Sequence, residues 1–455
     1  MTTQLPIPSL AADGSLLFNW LFLDLNSYFA SVEQQEDPQL RGRPLMVVPV
    51  MTDFTCAIAA SYEAKAFGIK TGTPVREAKF RCPQILIRLA NPQTYVTYHH
   101  RILEEVDRHI LVDHVASIDE MACQLTGKWR TAENAIALAK KIKAGIAANV
   151  GVCLTSSIGI SSNQFLAKTA SDMQKPDGLV LLHPSELPDR ILHLVPRDLC
   201  GIGANMERRL QASQIRTMQQ LWDCPPLQLR GIWGGVEGER FWYSLRGIEI
   251  PRATGQSRSL GHSHVLAPEN RPIPMAENVG RRLFLKCATR LRSEHFLATA
   301  MSLSVRLEIG PRHGFDVRFP PMDDNLGLQN IFLNLWYQMV EIAVNQRLKK
   351  ISVTFYGLIK ADSQRQLELF SESRKTDVVS LTQSTVAQEK RDRLTAAMDQ
   401  LNSRFGRDTV TLGMMPGAGG NFTGNKIAFT RVPKAADFNE RVSGLRGQKK
   451  VKRKK

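Results

Sequence analysis

Two apolar runs in this chain each end in a carboxylate, and that pairing constrains the fold more than any other feature. Val115-Ala116-Ser117-Ile118 reads as a short buried strand running into Asp119-Glu120-Met121, and Trp20-Leu21-Phe22-Leu23 runs into Asp24-Leu25. A strand sends successive side chains to opposite faces, so Asp119 and Glu120 serve one site only if the chain turns there. Asn26 and Ser27 offer helix caps after the first run, and residues 30 to 33 continue in helix formers. Two neighbouring strands that deliver acids to the same edge of a sheet make an oxygen cage for Mg²⁺, which binds through carboxylates together with substrate phosphates. The layout predicts a phosphoryl-transfer site with two cations roughly 3.5–4 Å apart.

Around that cage the pattern alternates. Residues 43–50 and 55–60 read as paired strands joined by a turn at 51–54, and Ser61 caps the helix that follows. Residues 92–110 form an amphipathic helix with Tyr95, Val96, Ile102, Leu103 and Val106 on its apolar face. Residues 123–125 return as a hairpin strand, 132–148 are helical, 154–160 are a strand, and Asn163 opens a helix. Strands alternating with helices, with a hairpin inserted, predict an α/β (α+β) arrangement with a mixed sheet.

Four ordered segments carry a family resemblance. Residues 23–33 and Ser117-Ile118-Asp119-Glu120 resemble the two acidic motifs of the Y-family (translesion) DNA polymerases, of the bacterial mutagenesis-polymerase type. Ser61-Tyr62-Glu63-Ala64-Lys65-Ala66-Phe67-Gly68-Ile69 lies between them, and residues 159–168 follow. The resemblance spans roughly residues 18 to 430 and implies a multidomain right-hand polymerase. Its expected parts are a flexible N-terminus (1–17), a palm (18–187) with small fingers inserted at about 34–90, and a helix-hairpin-helix thumb (188–250). A linker (251–263) and a β-α-β-β-α-β little finger (264–362) follow, then a clamp-binding motif and accessory region with a basic tail (363–455).

The resemblance also implies roles. Asp24, Asp119 and Glu120 are the expected catalytic acids, holding two Mg²⁺ together with the backbone carbonyl of Leu25. Phe29 is the expected steric gate against a ribose 2′-OH, with Tyr28 packed beside it, and Tyr62, Lys65 and Lys168 are expected on the incoming triphosphate. Ala59 stands where many members carry a hydroxyl, and Lys65 where many carry arginine, which exchanges a bidentate fork for a point charge. Ala59 and Ala60 leave space beside the base pair, so low-fidelity bypass of damaged template is expected. Gly201 and Gly203 open a basic helix whose amides suit a DNA phosphate, and Arg252 and Arg258 in the linker suit backbone contacts. Gln366, Leu367, Leu369 and Phe370 resemble the peptide that docks bacterial polymerases on the sliding clamp. Residues 390–405, 409–413 and 426–430 are expected as a helix and two strands of a region that meets an accessory mutagenesis subunit.

Charge and cysteine usage agree with these partners. A net charge of +16 and 43% apolar residues describe a globular chain with a polyanionic partner or surface; the resemblance implies that the partners are primer-template DNA and deoxynucleoside triphosphates. No apolar run approaches the roughly 20 residues of a membrane span. The seven cysteines lack CxxC spacing, His262 and His264 have no completing ligands, and no secretory signal is visible, so a cytoplasmic, nucleoid-associated protein is expected. Two other classes fit parts of the pattern: a catalytically inactive clamp-bound adaptor, and a two-metal nuclease.

Overall fold

The structure, a computed structural model, describes residues 17–251, 259–343, 346–361, 378–405, 409–411 and 432, with side chains of the last helix described from 390 onward. The chain divides into two compact units at residue 252.

The first unit is built on β1 (Trp20–Leu25), α1 (Tyr28–Glu36), β2 (Leu45–Val48), β3 (Ala59–Ala60), α2 (Tyr62–Lys65), α3 (Val75–Arg81), β4 (Leu86–Leu89), α4 (Pro92–Asp107), β5 (His114–Val115) and β6 (Glu120–Gln124). It continues through α5 (Ala132–Asn149), β7 (Ser156–Ser161), α6 (Gln164–Met173) and β8 (Leu179–Leu182). A five-stranded sheet in the order β5-β6-β1-β7-β8 holds its centre. It is mixed as expected, with β1 antiparallel to β6 and β7, and β8 parallel to β7. All six residues of β1 are buried, which a continuous apolar run requires when both faces of a sheet are covered. α6 lies so close to β7 that a Cβ on Gly159 would collide with the Ala167 carbonyl and the Ser171 amide. That contact sets the height of the helix above the sheet.

Three local expectations change. Ser27 does not cap α1 with its side chain; it takes a left-handed conformation at φ 49°, while the Asn26 amide is drawn to Ser157 Oγ at 3.1 Å. A tertiary partner has taken the Asn26 group. The run at 115–118 is strand only at its first residue, because the chain turns at Ser117 to Asp119 and returns as β6. The expected strand at 55–60 shrinks to Ala59–Ala60, and the small sheet gains a third, parallel member in β4, giving the order β3-β2-β4.

Four helices complete the unit: α7 (Ala204–Ala212), α8 (Met218–Asp223), α9 (Pro226–Trp233) and α10 (Glu237–Leu245). Their core joins Leu210, Leu221, Leu229 and Leu245 to Leu166 of α6. Arg246 is stacked between Trp222 and Trp242, 4.4 and 3.7 Å from the ring centroids.

The second unit runs β9 (Ser259–Val265), α11 (Ile273–Ser293), β10 (Phe296–Leu307), β11 (Arg312–Met322), α12 (Asn325–Ile342) and β12 (Leu348–Tyr356). This is the expected β-α-β-β-α-β order, with its first strand starting earlier than anticipated, inside the presumed linker. The antiparallel sheet is ordered β11-β10-β12-β9, and one face is sealed by Phe284, Phe332, Trp336 and Phe355. The last helix, α13 (Val378–Phe405), begins well before the expected residue 390. It is held to α11 and α12 by a bidentate pair from Arg292 to Asp399 at 2.6 and 2.8 Å, and by Thr395, whose hydroxyl accepts from the Asn325 amide at 3.2 Å. No helix among the described residues is long and apolar enough to cross a membrane.

Candidate active site

Register brings the acids together. Asp24 on β1 is the direct cross-strand partner of Glu120 on β6, and directly opposed residues of an antiparallel pair project to the same face. The Leu25 amide donates to the Asp119 carbonyl at 2.9 Å, so the two acidic segments are tied by backbone as well as by register. Asp119 sits in the hairpin turn, where the Ser117 hydroxyl donates to its Oδ1. One residue before it, the Ile118 carbonyl accepts from Nδ1 of the buried His99 at 2.7 Å. Burial pushes the Asp119 carboxyl up to about 6, against the Ser117 hydroxyl and reinforced by the charges of Asp24 and Glu120.

Lys168 on α6 reaches into this cluster. Its ammonium bonds Asp24, lies 2.8 Å from Glu120 Oε1 and 3.2 Å from Asp172 Oδ1. Burial pulls its pKa down, but Asp24, Asp172 and Glu120 together outweigh burial and raise it. Lys175, just past the end of α6, lies 2.7 Å from Asp24 Oδ2 and 2.8 Å from Asp172 Oδ1. Neither Lys175 nor Asp172 was singled out from the sequence. The spacing 168, 172, 175 was the available signal, since i, i+4 and i+7 fall along one helical face.

The nucleotide-side candidates assemble beside Lys175. Lys65 stacks its ammonium 4.1 Å from the centroid of the Tyr62 ring. Burial lowers Lys65, with the charge of Lys175 adding to the effect, and burial raises Tyr62. Tyr62 and Lys65 therefore share one electrostatic field with Lys175 and Asp24. Phe29 is buried and stacks on Tyr95 of α4 with centroids 4.4 Å apart and planes 15° from parallel. The Tyr95 hydroxyl donates to Glu33 Oε1, and the Tyr28 hydroxyl to the Tyr95 carbonyl, each at 2.6 Å.

Lys168 also lines a cavity of about 280 Å³, together with Phe22, Cys200, Ser244, Ile248 and Glu249. Gly201 and Gly203 are exposed on the turn beyond Cys200. Gly201 takes φ +88°, a conformation that side-chain-bearing residues rarely adopt, and Gly203 is the N-cap residue of α7.

The second unit presents a sheet face opposite its core. Register aligns Arg312, Arg306 and Lys350 in one row, then Gly314, Ser304, Ser352 and Ser263, then Asp316, Ser302 and Thr354. Small hydroxyl residues flanked by guanidinium and ammonium groups suit close approach to a sugar-phosphate backbone. Arg252, Arg258, Gln366, Leu367, Leu369 and Phe370 lie outside the described residues, as do the expected strand at 426–430 and the basic tail.

Among the described residues no three carboxylates, imidazoles or thiols are drawn together closely enough to hold a metal as they stand; two lysine ammonium groups sit among the acids instead. The donor set nevertheless fits a hard divalent ion. Asp24 and Glu120 on adjacent strands and Asp119 in the hairpin turn between β5 and β6 offer only oxygen, with cationic side chains marking where positive charge is already favoured.

Residues 23–172 match the impB/mucB/samB family, and residues 257–369 match the C-terminal domain of that family. The DNA polymerase IV of Moorella thermoacetica is 30% identical over 401 residues, covering 86% of this chain and 94% of its own length. That of Gluconobacter oxydans is 36% identical over 228 residues, covering 50% and 63%. Among solved structures, a Y-family DNA polymerase chimera of Dbh and Dpo4 matches with a TM-score of 0.63 at 23% identity, covering 75% of this chain and 99% of its own. That likeness establishes the multidomain fold.

Proposed function

The chain belongs to the impB/mucB/samB family, the Y-family translesion DNA polymerases, and from that premise we propose that Asp24, Asp119 and Glu120 form the centre at which it extends a primer. It is a DNA polymerase, and its substrates are primer-template DNA and deoxynucleoside triphosphates. The observation that carries the site assignment is the direct pairing of Asp24 with Glu120, with the Leu25 amide fastened to the Asp119 carbonyl.

Two Mg²⁺ ions held by these three acids and the Leu25 carbonyl would favour the primer alkoxide and stabilise the departing pyrophosphate. The remaining roles belong to the protein. Tyr62, Lys65 and Lys175, which share one electrostatic field with Asp24, hold the triphosphate and offset the charge that grows on it during transfer. Lys168, bonded to Asp24 and Glu120 and lining the cavity next to the thumb, helps neutralise the charge that builds on the triphosphate. Phe29, backed by Tyr95, bars a ribose 2′-OH. Ala59 leaves the neighbourhood of the base pair open, which supports low-fidelity bypass, whereas Ala60, on the other face of its strand, packs into the core of the small sheet. The thumb turn at Gly201 and Gly203, the hydroxyl-and-arginine sheet face, and Arg252 and Arg258 grip the DNA backbone. The peptide at Gln366, Leu367, Leu369 and Phe370 docks on a sliding clamp, and the region beyond it meets an accessory subunit.

Primer extension tests the assignment. Wild-type protein is expected to lengthen a labelled primer only with Mg²⁺ and deoxynucleotides, and Asp119→Asn to lose about 10²–10³-fold in rate, the scale of removing one preorganised electrostatic group. Shortening of the primer without nucleotides points to the nuclease reading. The adaptor reading predicts no extension by wild type, and the complete acidic set lends it no support.

A further inference from the structure

We propose that Asp172 is a positioning residue that holds the Lys168 and Lys175 ammonium groups together beside the acidic centre and keeps them there when Asp24 turns to a divalent cation. The inference rests on the polymerase reading above and concerns Asp172, to which that reading gives no role.

Both ammonium groups share the same two anchors. Each approaches Asp24 Oδ2, and each approaches Asp172 Oδ1, at 3.2 Å for Lys168 and 2.8 Å for Lys175. From these common anchors they diverge: Lys168 continues to Glu120 at 2.8 Å, whereas Lys175 acts electrostatically on Tyr62 and Lys65. The lysines are largely buried, with side chains 15% and 29% exposed. An ammonium in such a place needs a carboxylate partner, because an unpaired buried charge is costly.

Asp24 cannot serve two lysines and a dication at once. When the cation takes Asp24, a lysine without Asp172 either stays and competes for the carboxylate or swings out to water. Asp172 removes both outcomes. It belongs to the same helix as Lys168, one turn on, and lies three residues before Lys175, so it moves with the groups it holds. Asp172→Asn keeps the shape and removes the charge; Asp172→Glu keeps the charge on a longer stem.

The test uses the full chain on primer-template DNA. Mn²⁺ binding is measured by electron paramagnetic resonance without nucleotide, single-nucleotide insertion gives kcat and KM separately, and melting in EDTA reports folding. For Asp172→Asn we expect Mn²⁺ affinity to weaken and nucleotide KM to rise by roughly tenfold or more, as when an outer partner of a metal ligand is lost, with kcat less affected and Asp172→Glu partly restoring both. The proposal is overturned if Asp172→Asn stays within about twofold of wild type in Mn²⁺ affinity and KM. It is equally overturned if both variants lose melting temperature and activity in parallel, which marks a purely structural residue. Should wild type itself fail to extend a primer, the polymerase assignment falls, and the Mn²⁺ measurement still decides the role of Asp172.

Discussion

Phe29 shows how a single side chain acquires a task from its backing. A ring packed only by aliphatic side chains can tilt, whereas the parallel stack on Tyr95, whose hydroxyl is fixed by Glu33 one turn along α1, leaves Phe29 little freedom. Phe29→Ala is expected to admit ribonucleotides by at least about tenfold, and Tyr95→Leu to give a smaller shift in the same direction, both read as the ratio of ribo- to deoxynucleotide incorporation. His99 is a second case. Burial depresses its pKa below the ordinary value of 6.5, so the fold favours the neutral imidazole, and the unfolded chain takes up protons first as pH falls. Its contribution is complete above that value and is lost as pH drops through and below it. The melting advantage of wild type over His99→Gln is therefore expected at neutral pH and should shrink toward pH 5; a gap that widens on acidification would refute this.

At the scale of elements, α6 does more than any other. It carries Lys168 and Asp172, sets up Lys175 beyond its end, and is seated by the bare Cα of Gly159 against Ala167 and Ser171. Because the neighbours there are backbone, a methyl group has no flexible side chain to displace. Gly159→Ala is expected to cost about 2–3 kcal/mol or more in stability, measured by denaturant unfolding, and to lower insertion rate even in the folded fraction. The hairpin between β5 and β6 depends on a different device. Its turn is closed by Ser117 on Asp119 and by His99 on Ile118, so the acidic pair rests on side chains from its own turn and from α4.

For the whole molecule, each unit has its own apolar core, and the net charge of +16 suits nucleic acid bound through its phosphates. Such binding weakens with salt in proportion to the phosphates neutralised, by about 0.9 in log–log slope for each. Replacing Arg306, Arg312 and Lys350 together by Ala is expected to reduce that slope by roughly 2 to 3 without changing preference among DNA sequences. An unchanged slope in a salt titration of duplex affinity would remove this face from the DNA interface.

Much of this was legible along the chain because it depends on local chemistry. Apolar runs ending in Asp24 and Asp119-Glu120, the order of strands and helices, and Tyr62 with Lys65 on one helical turn all follow from neighbouring residues and a repeat of 2 or about 3.6. Short-range patterning could not reveal that Asn26 abandons its cap for Ser157, that β4 joins the small sheet, or that Lys168 and Lys175 meet on one oxygen of Asp24. Those outcomes depend on which surfaces are pressed together once water is excluded, where a charge or amide takes the partner that burial leaves within reach.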